Sequence, residues 1–144
     1  MRISAKAEYA CVAMLELAAN YTAPQPVRIK AIAEAQGIPQ RFLVQILLQL
    51  KTAGLVASVR GAGGGYQLAR PPGAISLADV VNAIDDRSLT PRSALGETLR
   101  SPAVAVLLSV WREIHAEEQR LLEELTLAEL IRRAQQGNAL SYQI

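Results

Sequence analysis

Cysteine and histidine each occur once in the 144-residue chain, and aromatics make up only 4% of it. The lone Cys11 cannot close an internal disulfide, and it fits a reducing compartment. His115 lies about a hundred residues from Cys11, so no nucleophile, base and orienting group come together and no enzyme is expected. Apolar runs stay short of the roughly eighteen residues that cross a membrane. Met1 leads into Arg2, Ser4 and Lys6 without the apolar stretch of a signal peptide, so a cytoplasmic protein is expected. Alanine and leucine are abundant instead. Hydrophobic residues reach 51% against 19% charged, enough for a packed and largely helical core. The length suits one domain, or a small domain with an appendage.

Acidic residues are scarce in the front half. Residues 1–75 carry eight Lys/Arg against three glutamates, or +5, while the remainder carries seven basic and ten acidic residues, or −3. A basic front half suggests an anionic partner there, although ordinary scatter of surface charge gives the same count.

Ser4 is placed to cap a helix in which Ala7, Ala10, Cys11, Met14, Leu15 and Ala18 recur at helical spacing. Two prolines within residues 20–26 end it in a loop. A short helix over residues 27–36 turns Ile29, Ile32 and Ala33 inward. Gly37 stops it, and Pro39 suits the first turn of a third helix. There Leu43, Ile46, Leu47 and Leu50 make an apolar stripe at i, i+3, i+4 and i+7. The opposite side presents Arg41, Gln45, Leu48 and Thr52, flanked by Gln40 and Val44, and Gly54 ends the helix. Two helices joined by a short glycine turn have the helix-turn-helix pattern, which a plain helical hairpin shares.

The stretch "VRGAGGGYQLARP", residues 59–71, holds four of the nine glycines. A dinucleotide fingerprint starting at Gly61 would need glycine where Tyr66 stands, and a helix where Pro71 and Pro72 follow. A P-loop would need Lys and Ser/Thr after its last glycine, and both are absent. Residues 55–59 and 66–69 read instead as two strands of a hairpin, whose tip needs residues tolerant of positive φ. Helix, turn, helix and hairpin is the order of a winged helix. Its glycine amides and Arg60 would approach a DNA phosphate.

Three stretches, "MRISAKAEYACVAMLELA", "IAEAQGIPQRFLVQILLQLKTAGLVASVRGAGGGYQLAR" and "ISLADVVNAID", together resemble the IscR/CymR/NsrR family of bacterial winged-helix transcription regulators. The resemblance covers nearly all of the first 86 residues, and "GLVASVRGAGGGYQLAR" is close to that family's wing signature. It implies cytoplasmic homodimers that bind palindromic operators. In cluster-binding members, three cysteines sit in the loop after the helix matched here by "ADVVNAID". Here that loop, residues 86–101, reads "DRSLTPRSALGETLRS" and contains none. Some relatives use a first-helix glutamate as a ligand, and Glu8 stands in that helix. Without a loop cysteine it reads as a solvated charge or ion-pair partner. Thiolate ligation of a cluster needs several cysteines. The chain is therefore similar to the cluster-free, CymR-like type, with no cofactor and no metal ligand expected. Cys11 reads as a small buried hydrophobe, with thiol sensing as the alternative. His115 reads as an interface or core residue.

In the rear half, Ser76 and Asp79 have the spacing of a capping box, ahead of a short helix with Leu77, Val80, Val81 and Ile84 on one face. Ser101 and Pro102 open a long helix with Val104, Leu107, Leu108, Trp111, Ile114, Leu121, Leu122 and Leu125 along one side. Such a stripe calls for a partner helix, most simply from a second copy, unless its own domain covers it. Thr126 and Glu129 start a final short helix.

The sequence thus predicts a mostly α protein: a winged helix-turn-helix domain (residues 1–85), a cysteine-free effector loop (86–101), a long C-terminal dimerisation helix with a final helix (102–137), and a flexible tail (138–144). The expected function is a dimeric DNA-binding transcriptional regulator, as a repressor, on a palindromic operator. The alternatives are a protein-interaction module that has lost DNA binding, or a thiol-sensing regulator acting through Cys11. Arg41 and Gln45, with Gln40 beside them, are expected at base edges, and Pro39 and Val44 are expected among the DNA-binding residues. Arginine reads guanine and glutamine reads adenine in bidentate geometry. Val44 departs from some relatives, which carry glutamate there. Arg28, Lys30, Lys51, Arg60, Gly61, Gly63 and Gly64 are expected on phosphates, with Tyr66 closing the tip. Val104, Leu107, Leu108, Trp111, Ile114, Leu121 and Leu122 are expected to dimerise. A small-molecule or protein effector is expected near the loop.

Overall fold

The Ser4 hydroxyl accepts the Ala7 N–H at 3.0 Å and opens the first helix, α1 (Ala5–Ala19). The computed structural model describes residues 2–85 and 101–143. After α1 come α2 (Ile29–Gln36), α3 (Gln40–Thr52), β1 (Val56–Val59), β2 (Gly65–Leu68) and α4 (Leu77–Ile84). Then follow α5 (Pro102–Glu124) and α6 (Leu127–Gln143).

The interior of α1 consists of Ala7, Ala10, Ala13, Met14, Leu17 and Ala18. Small side chains there let α2, α3, α4 and α6 all pack against it. Cys11 and Leu15, expected inside, are only half-buried, and Ala13 and Leu17 take the interior instead. The helix is apolar nearly all round, so spacing alone does not choose its inner face. The α3 stripe is as expected. Leu43, Ile46, Leu47 and Leu50 are fully enclosed, each worth about 1.5–3 kcal/mol relative to exposure.

The hairpin pairs Val56 with Leu68 through Val59 with Gly65, antiparallel, so its second strand begins one residue earlier than expected. Val27 was expected to start α2 but forms an isolated bridge with Tyr66 instead. The Val27 N–H donates to the Tyr66 carbonyl at 2.8 Å, and the Tyr66 N–H returns a bond at 2.7 Å. The helix therefore starts at Ile29, after an extended Arg28.

Ser76 and Asp79 complete the capping box of α4 in both directions. The Leu77 N–H donates to the Leu125 carbonyl at 2.8 Å, and the Leu127 N–H donates to the Ile75 carbonyl at 2.9 Å. These bonds tie the start of α6 to the start of α4, with Leu127 fully buried. The last helix is longer than expected: it continues through Gly137 to Gln143, where a tail was anticipated. A single helical glycine costs about 1 kcal/mol relative to alanine, which does not oblige a helix to stop.

Candidate nucleic-acid interface

The turn before α3 is made by Gly37 at φ 65°, which closes α2 in the left-handed region, and by buried Ile38, which anchors the turn in the core. Pro39 then caps α3. With its inner stripe buried, α3 presents Gln40, Arg41, Val44, Gln45, Leu48 and Thr52 to solvent. Arg41, Val44, Gln45 and Leu48 are three or four residues apart and form one contiguous patch. Behind it, the rings of Tyr9 and Phe42 meet edge to face at 5.5 Å and brace α3 against α1.

No carboxylate occurs between Glu34 and Asp79, a stretch that carries Arg41, Lys51, Arg60 and Arg70. Arg70 is paired with Asp79 at 3.8 Å, and Lys30 approaches Glu34 at 4.0 Å. Among the described residues nothing pairs with Arg41, Lys51 or Arg60. These three cations are left available to an anion.

The wing glycines do more than keep the tip slim. Gly61 sits at φ 109°, a conformation that side chains resist. The Gly64 N–H donates to the Gly61 carbonyl at 3.0 Å, so that amide, expected on a phosphate, is already used. A Cβ at Gly64 would run into the Val59 carbonyl, and one at Gly65 into the Val27 carbonyl. Gly63 faces open space. The Arg28 guanidinium, also expected on a phosphate, donates to the Ala62 carbonyl at the tip. Arg28 and Arg60 line a cleft of about 420 Å³ together with Ser58, Gly64 and Tyr66. Sequence reasoning missed Val27, Ala62 and Gly65 as wing supports, because one extended residue ahead of a helix has no periodicity of its own.

The residues expected to dimerise fall into two groups. Leu122 is buried within the chain, and Val104 and Leu108 are half-buried there. Leu107, Trp111, Ile114 and Leu121 stay exposed, and Val106 and Val110, not anticipated, join them. The expected effector loop, residues 86–101, lies outside the described residues except for Ser101.

The family model named Rrf2 and described as an iron-dependent transcriptional regulator matches residues 3–133. An HTH-type transcriptional regulator inferred in Mycobacterium tuberculosis is 47% identical over 131 residues, covering 90% of this chain and 81% of that protein. Among solved structures, CymR, the global cysteine regulator of B. subtilis, superposes with a TM-score of 0.80 at 31% identity, covering 92% of this chain and 98% of that one. IscR of T. potens gives a TM-score of 0.75 at 34% identity, with 93% and 88% covered.

Iron held by thiolates does not fit the donors present. Burial, reinforced by the negative charges of Glu8 and Asp85, pushes the Cys11 thiol up to about 11, which disfavours the thiolate a metal or an oxidant needs. Among the described residues no three His, Cys, Asp or Glu side chains gather as a ligand set.

Proposed function

Because this chain belongs to the Rrf2 family of transcriptional regulators, we propose that it acts by binding duplex DNA as a twofold homodimer. In this reading α3 enters the major groove of a palindromic operator, and the wing lies along the backbone. Occupancy of the operator represses the gene it controls. The observation that carries the reading is the outer face of α3: its residues are exposed, it holds no carboxylate, and among the described residues nothing pairs with Arg41, Lys51 or Arg60. Arg41 takes a guanine and Gln45 an adenine, while Lys51 and Arg60 hold phosphates.

The exposed apolar face of α5 supports pairing with a second copy, since Leu107, Ile114 and Leu121 recur at seven-residue spacing with Trp111 beside them. Control enters near residues 86–101. The chain leaves for that loop at Asp85, whose carboxylate receives the Ser4 hydroxyl at 2.6 Å and the Ser4 N–H at 3.2 Å. A small molecule or protein that displaces Asp85 thereby reaches the cap of α1, on which the reading head is packed.

Selection of bound duplexes from random DNA, followed by footprinting, tests the proposal. Two inverted half-sites roughly one helical turn or a multiple apart are expected. A single half-site bound by a monomer contradicts it.

A further inference from the structure

Val44 and Leu48 stand out on a face meant for a polar groove. They are 38% and 52% exposed, one helical turn apart, between and beside Arg41 and Gln45. A solvent-facing valine and leucine need no explanation when scattered singly. These two are adjacent, on the helix whose every buried position is already filled by the stripe from Leu43 to Leu50. The helix itself carries Arg41 and Lys51 and no carboxylate, which favours a polyanion over an acidic or apolar protein as the occupant. A major groove offers a single apolar group on its base edges, the C5-methyl of thymine.

We infer that Val44 and Leu48 read thymine methyl groups, so that specificity is set by an apolar contact flanked by the hydrogen bonds of Arg41 and Gln45. The inference rests on the proposed DNA binding and adds the chemistry of the reading. Spacing matters. Side chains one turn apart, about 5–6 Å between Cβ atoms, meet neighbouring base steps rather than one base. The methyl groups expected are therefore on adjacent or next-adjacent pairs of each half-site. Carbon then meets carbon across the contact, whereas cytosine there offers no methyl group to Val44 or Leu48.

The test replaces thymines by deoxyuridine, one position at a time, in the duplex obtained by selection, leaving every hydrogen bond in place. For the wild-type protein, one or two positions in each half-site are expected to lose about threefold to fivefold in affinity when the methyl is removed. Val44→Ala and Leu48→Ala, both at exposed positions, should each abolish the sensitivity at its own position while keeping it at the other. Operator binding that is indifferent to deoxyuridine everywhere overturns the inference and leaves the proposed DNA reading intact. Equal methyl sensitivity in the wild type and both variants overturns it as well. Failure to bind any duplex overturns both.

Discussion

Arg28 and Arg60 line one cleft with the same charge, yet Arg28 is engaged by the Ala62 carbonyl and Arg60 has no partner among the described residues. A sequence gives the count of cations but not what each has already been spent on, which is why both were expected on phosphates. Cys11 is a second case. Its apolar neighbours were legible, but the carboxylates near its thiol come partly from Asp85, seventy-odd residues on, and only the fold brings that charge close. The thiol is raised from 9.0 to about 11, so its proton stays on at neutral pH, and the stabilisation from keeping it neutral is lost as pH climbs from about 9 toward 11. Alkylation by iodoacetamide should accordingly be slow near pH 7 and speed up only above about pH 9. Cys11→Ser should leave DNA affinity within twofold under oxidising and reducing conditions. Rapid labelling at neutral pH, or a redox response that the serine variant loses, would restore thiol sensing.

At the scale of elements, α3 and the cap of α4 were legible because their signals are local: a four-residue stripe at helical spacing, and a Ser–Asp pair three residues apart. The hairpin was legible from its glycines, but the reason for two of them was not. Gly64 and Gly65 are required by backbone that passes close by, and for Gly65 that backbone is Val27, far away in sequence. Gly65→Ala should force the wing away from the Val27 bridge and cost about 1–3 kcal/mol in denaturant unfolding, with faster amide exchange at Val27 and Tyr66. Gly63→Ala meets open space and should stay within about 0.5 kcal/mol of wild type. Equal costs at the two positions would mean that the bridge does not hold the wing. α1 was misjudged in its inner face for the opposite reason: too many apolar residues, so that several faces satisfy the same spacing.

For the whole molecule, α5 has one apolar residue buried in the chain and others left exposed. Leu122 packs into its own protomer, whereas Leu107, Trp111, Ile114 and Leu121 face outward. Ile114→Glu should leave the fold intact but give a monomer in sedimentation, while Leu122→Ala should cost about 2–5 kcal/mol of protomer stability. An Ile114→Glu protein that still sediments as a dimer would remove α5 from the assembly. Which residues of the stripe the chain itself buries was not legible, since burial within the chain and burial by a partner would ask for the same residues. The central claim is that α3 reads the bases and the wing holds the backbone, and a salt titration on selected and random duplexes tests it most directly. Arg60→Ala should weaken both duplexes alike and lower the salt slope by roughly one unit, as for one lost phosphate contact. Arg41→Ala should cost about 1–3 kcal/mol on the selected duplex alone and relax preference at one base pair of each half-site. A change of base preference in Arg60→Ala, with none in Arg41→Ala, would contradict the account.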